Sequence, residues 1–184
     1  MRLAMPSLWL ALLFAMLGFP SGASAHRLDE YLQATLVSIE VGEVRLQINL
    51  TPGVAVAEQV LAVIDSDHNG VISVKEAAGY AETVKHDLIV RLDRRKVSLT
   101  LIASSFPEVS ELRSGSGFIQ LEFSVSTASM TAGSHRLSLK NRHLPAVSVY
   151  LFNAAQPRSG EIEITRQKRN ENQSLGEIEF AVRR

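Results

Sequence analysis

The chain has 184 residues, 19 basic and 19 acidic side chains, 46% hydrophobic residues and no cysteine. Zero net charge gives no electrostatic case for nucleic acid or for an anionic membrane surface as partner. Without cysteine there is no disulfide framework, so stability must come from packing and from any bound metal.

Residues 1–25 read as a signal peptide: Arg2 near the amino terminus, the apolar run Leu8–Leu17, then Pro20 and Gly22, and Ala23-Ser24-Ala25 as a cleavage site. The apolar run is too short to span a bilayer, and nothing after it approaches 18 uninterrupted apolar residues. The expected product is an exported, periplasmic or extracellular domain over 26–184, starting at His26 and carrying no membrane span after cleavage.

Along that domain, Leu32, Ala34 and Leu36 recur two apart, and Gly42-Glu43 marks a turn. Val44, Leu46, Ile48 and Leu50 then alternate strictly with Arg45, Gln47 and Asn49, which predicts a hairpin with one buried face. Thr51-Pro52-Gly53 ends it. From about 54 to 87 the apolar period becomes helical, with Val56, Val60, Leu61 and Ile64 before a polar loop, and Ala77, Tyr80, Ala81, Val84 and Leu88 after it.

The loop, Asp65-Ser66-Asp67-His68-Asn69-Gly70-Val71-Ile72-Ser73-Val74-Lys75-Glu76, fits the twelve-residue EF-hand pattern, with ligands at positions 1, 3, 5, 7, 9 and 12. Asp65, Asp67 and Asn69 would each offer a side-chain oxygen, Val71 its carbonyl, Ser73 its hydroxyl directly or through water, and Glu76 both carboxylate oxygens. Gly70 falls where the chain turns most sharply. Ser73 and Glu76 also form a capping box for the following helix. Calcium is the cofactor expected. No second loop exists for Ile72 at position 8 to pair with, so Ile72 is expected to pack on the domain itself. An unpaired hand with three acidic ligands points to weak binding, about 10⁻⁴–10⁻³ M, and to structural occupancy.

The remainder reads as short strands: Leu88–Leu92 and Val97–Ala103 about the turn Asp93–Lys96, Phe118–Ser126, Ser134–Lys140 with Val147–Phe152 as a pair, and Glu161–Thr165 with Glu177–Val182. Many short strands with frequent turns predict a mainly β protein, an immunoglobulin-like β-sandwich with one inserted helix–loop–helix between its second and third strands. The basic groups Arg91, Arg94, Arg95, Lys96 and Arg166, Lys168, Arg169 read as solvated tips. There is no nucleophile elbow, no catalytic cysteine and no H-E-x-x-H, and nothing predicts an enzyme. A terminal His26 could chelate copper(II) or nickel through its amine and imidazole, with His135 or His143 as a further ligand.

His26-Arg27-Leu28-Asp29-Glu30-Tyr31-Leu32, Leu50-Thr51-Pro52-Gly53-Val54 and the calcium loop resemble the exported N-terminal region of HupE/UreJ-like membrane proteins, and stand-alone bacterial EF-hand proteins of this size. The resemblance implies a β-rich exported accessory domain whose partner is another exported or membrane protein. Metal transport in that family resides in membrane helices, and no such helix is expected within 26–184, so transport is not carried over.

Overall fold

The computed structural model describes residues 29–127 and 130–183. Alternation in the first third becomes two ten-residue strands, β1 (Tyr31–Glu40) and β2 (Glu43–Pro52), paired antiparallel around Val41-Gly42. Gly42 has φ +83°, a conformation that glycine adopts without steric cost. Val44, Leu46, Ile48 and Leu50 are fully buried, so the polar residues between them take the opposite face.

Two helices follow, α1 (Ala57–Ile64) and α2 (Val74–Asp87), and then β3 (Leu88–Leu92). β3 pairs with only two residues, β4 (Arg95–Lys96), across the tight turn Asp93-Arg94, where both residues have positive φ. The chain continues through β5 (Thr100–Ser105), α3 (Val109–Arg113), β6 (Ile119–Ser126), β7 (Gly133–Asn141), β8 (Ser148–Ala154), β9 (Ile162–Arg169) and β10 (Leu175–Val182).

The protein is mainly β, with two five-stranded sheets in the orders β5-β6-β2-β1-β8 and β4-β3-β7-β10-β9. Inward residues of both sheets, including Val37, Leu46 and Phe123 from the first and Leu139, Ile178 and Phe180 from the second, join one apolar core, giving a sandwich-like arrangement. Val60, Leu61 and Ile64 of α1, Tyr80 and Val84 of α2 and Leu112 of α3 extend the same core, so the helices are docked on the sandwich. Among the described residues no helix is long and apolar enough to cross a membrane.

One expected strand is shortened and one expected pairing is corrected. Across the Asp93 turn, Leu88–Leu92 pairs with the two-residue β4 alone. After β4 the chain crosses to the other sheet, where β5 pairs with β6. The expected hairpin of β7 and β8 does not form. β7 lies between β3 and β10, while β8 runs parallel to β1 in the opposite sheet. Alternation is a local property that reports a strand without naming its partner. The segment between β7 and β8 turns at Leu144, with φ +44° and Val147 N donating to the Leu144 carbonyl at 3.2 Å, but carries the chain from one sheet to the other.

β8 is an edge strand, and side chains cover part of its open edge. Gln167 Oε1 accepts from Ala154 N at 3.3 Å, and Gln167 Nε2 donates to the Phe152 carbonyl at 3.2 Å. Gln173 Oε1 accepts from Phe152 N at 3.3 Å. These amides occupy groups that would otherwise template a foreign strand, and they tie the two sheets together.

Candidate metal centre

α1 ends at Asp65, whose N–H donates to the Leu61 carbonyl at 2.8 Å. α1 is fixed to the core by Ala57, Val60, Leu61 and Ile64, so Asp65 is delivered to a defined place, and it is 6% exposed. Beyond it the chain turns through His68 (φ +57°) and Gly70 (φ +80°). That turn points backbone N–H groups at the carboxylates: Asn69 N donates to Asp65 Oδ1 at 3.1 Å and to Asp67 Oδ1 at 3.2 Å, and Gly70 N to Asp65 Oδ2 at 2.9 Å. Val71 N donates to Asn69 Oδ1 at 2.8 Å, and Asn69 Nδ2 to Asp67 Oδ2 at 2.9 Å.

The second half of the loop is fixed from α2. Ser73 is its N-cap, accepting from Glu76 N, while Glu76 answers to the Ser73 N–H, so the capping box forms as the spacing predicts. Glu76 Oε2 accepts from Ser73 N at 3.0 Å and Ser73 Oγ at 2.8 Å, and its Oε1 from Ser66 N at 2.7 Å. The hydrogen bonds from Ser73, backbone first, and those from Ser66 hold the Glu76 carboxyl down to about 2.

Ligand oxygens of Asp65, Asp67 and Glu76 lie within 4.8 Å of one another. At neutral pH three carboxylates this close repel, and the inward N–H groups offset only part of that repulsion. A cation among them offsets the rest. The donor set is oxygen throughout, with no sulfur or imidazole, and therefore suits a hard divalent ion. Asn69 lies beside Asp67 through its amide, and Ser73 beside Glu76 through its hydroxyl. The Val71 side chain faces solvent, as expected of a residue whose carbonyl is the useful group. Ile72 is half-buried against the core, as its lack of a partner loop predicts. A cleft of about 400 Å³ between α1 and α2, lined by Asp67, Ser73, Glu76 and Tyr80 among others, opens the Asp67 and Glu76 carboxylates to solvent.

The other metal-ligand candidates separate. His26 lies outside the described residues. His143 has both ring nitrogens engaged, Nε2 with Tyr80 Oη at 2.9 Å and Nδ1 with Asp87 Oδ2 at 2.8 Å. Burial, opposed by Asp87, lowers its pKa, so it is neutral and both nitrogens are committed. Tyr31 Oη and Tyr80 Oη meet at 2.6 Å beside it. This buried network joins residues far apart in the chain, and helical periodicity alone places Tyr80 only on an apolar face.

His135 is committed as well, Nδ1 to Asp93 Oδ2 at 2.8 Å and Nε2 to the Thr131 carbonyl at 2.9 Å, with its ring on Phe180. Both partners are acceptors, which favours the imidazolium. Burial works against that charge, but the bonds to Asp93 and Thr131 and the Asp93 charge outweigh it and raise the pKa. Burial likewise opposes the Asp93 charge, and His135 and the Arg136 N–H reverse it and lower that pKa. The sign follows from linkage: the His135 contribution is complete below the free imidazole value of about 6.5 and is lost as pH rises through its raised pKa. The Asp93 contribution is lost only in acid, as pH falls from the free carboxyl value through its lowered one. Melts as pH rises from about 6.5 through that raised value should show stability falling with pH in the wild type and a flatter profile in His135→Gln. Identical profiles would refute the pair.

No known protein-family model matches the chain, and no curated protein matches it significantly.

Proposed function

We propose that this chain is a calcium-binding, non-enzymatic protein in which a single EF-hand, Asp65–Glu76, stiffens a helix pair inserted in a β-sandwich. The observation that carries this reading is the convergence of Asp65, Asp67 and Glu76 within 4.8 Å, in a loop that turns at Gly70 with φ +80°. Asp65, Asp67, Asn69, the Val71 carbonyl, Ser73 and Glu76 would hold the ion, which supplies charge neutralisation and cross-links the end of α1 to the start of α2.

The immunoglobulin-like reading is supported by strand order. β5-β6-β2-β1 and β4-β3-β7-β10 follow the D-E-B-A and C′-C-F-G orders of that sandwich, with β8 and β9 as additions. On that reading the helix pair occupies the B–C connection at one end of the sandwich, a place where such folds present binding loops. The role proposed is contact with another exported or membrane protein. Export itself is read from the signal-like segment 1–25, and calcium at extracellular levels suits a loop of weak affinity.

Thermal melts with calcium and with a chelator test the reading. At a hundredfold excess over Kd, binding stabilises by about 2.7 kcal/mol. For a chain of this size the midpoint should rise by roughly 5–10 °C. Coincident midpoints in calcium and chelator would overturn it.

A further inference from the structure

The calcium loop is assembled from two helices that are held to the sandwich very differently. α1 buries four of its eight residues, Ala57, Val60, Leu61 and Ile64, so its end and Asp65 are placed chiefly by apolar packing. α2 has 14 residues and buries only Tyr80, Ala81 and Val84. A strip that narrow resists rolling or sliding less than the α1 face does, and Glu76 rides at the start of α2. Glu76, Tyr80 and Asp87 are four and seven residues apart and so share one face of α2. Two of the three are hydrogen-bonded to the same ring, His143.

The backbone that carries that ring is itself held on both sides. The His143 N–H donates to Asn141 Oδ1 at 2.9 Å, and its carbonyl accepts from Gln33 Nε2 at 2.9 Å and Tyr150 Oη at 3.0 Å. Gln33 is in turn held by Asn141 Nδ2 at 2.8 Å. Donor directions follow from the chemistry. The Asp87 carboxylate only accepts, so Nδ1 carries the proton, Nε2 accepts from Tyr80, and Tyr31 is left to donate to the Tyr80 oxygen. Contacts from β1, β7 and β8 therefore fix the backbone of His143, and its imidazole grips α2 at Tyr80 and again about two turns on, at Asp87.

We infer that Tyr80 and His143 are positioning residues for calcium: by locking α2 against the sandwich they hold Glu76 over Asp65 and Asp67 before the ion arrives. This rests on the calcium reading above. Neither residue touches the ion. Their effect comes through preorganisation, since apparent affinity is the intrinsic affinity scaled by the fraction of molecules whose loop is already competent. Loosening α2 lowers that fraction, and calcium must then do the ordering.

The test compares wild type, Tyr80→Phe, His143→Gln and His143→Leu as full chains, with calcium chloride as the probe. Tyr80→Phe keeps the ring and removes the hydroxyl. It should weaken calcium binding by about fivefold or more, the effect of one buried hydrogen bond. Amide exchange along Val74–Asp87 should quicken without calcium and return to the wild-type rate with it. His143→Gln, which retains one donor and one acceptor, should fall between wild type and His143→Leu. A Leu variant that fails to fold leaves the decision to Tyr80→Phe. Wild-type affinity in Tyr80→Phe, with exchange raised equally in both states, would mean a purely structural network and overturn this inference alone. A wild-type protein that takes up no calcium overturns the function proposed above, and this inference with it.

Discussion

Gly176→Ala should destabilise the protein by about 3 kcal/mol, at the top of the usual range for overpacking. Gly176 sits in β10 in the inward register with Ile178, Phe180 and Val182, and it is buried. Its φ is not in the left-handed region, so space and not backbone freedom demands glycine. A Cβ built there would lie 2.2–2.3 Å from three ring atoms of Phe152. Phe152 is 1% exposed and has little room to swing away. Nor can β8 withdraw easily, because Gln167 and Gln173 hold the Phe152 backbone from the opposite sheet. Chemical denaturation should show the loss, and Phe152→Ala in the same chain should cost much less than the two changes separately. A single Gly176→Ala variant within about 0.5 kcal/mol of wild type would refute this packing.

Glu76→Gln should abolish the response to calcium while sparing the fold. Removing the charge and one strong acceptor from the twelfth position should weaken binding on the order of a hundredfold. Glutamine still serves as the third-position partner in a capping box, so α2 keeps its start, but its NH2 cannot accept from Ser66, and the midpoint in chelator should fall modestly while the shift with calcium disappears. The contrast with Ser73→Ala is informative. That change removes the N-cap oxygen, costs about 1 kcal/mol in chelator, and costs more in calcium because the ninth-position oxygen goes with it, so the calcium shift is reduced and not abolished. Melts of both variants in calcium and in chelator separate the two roles that meet in Ser73 and Glu76. A Glu76→Gln chain that still gains the full wild-type shift would show the ion, if any, to be elsewhere.

How far these features could be read from sequence depends on how local their causes are. The alternation of Val44 to Leu50 and of Ile119 to Val125 is realised residue for residue, because a two-residue period with one buried face admits little else. The capping box at Ser73 and the sharp turn at Gly70 are equally local, and both form. Partnership between strands is not local. The crossing of β5 and the parallel seating of β8 on β1 depend on what covers each face. α3, only five residues long, follows Pro107 in a polar stretch too short to show a helical period. Tyr80 and His143 were legible as an apolar-face residue and a possible ligand. Their pairing with Tyr31 and Asp87 exists only once three distant segments are packed together. Gly176 falls just outside the strand expected over Glu177–Val182, and only the ring of Phe152 explains why glycine stands there.

The central claim is that calcium is held by Asp65–Glu76, and a residue-resolved titration addresses it most directly. Calcium added to the isotope-labelled chain should move the backbone amides of Asn69 and Gly70, which donate to Asp65, in one saturable step with Kd about 10⁻⁴–10⁻³ M. Shifts along Val74–Asp87 should saturate at the same concentration. Amides in 65–76 that stay unmoved at calcium about tenfold above that range would contradict the account.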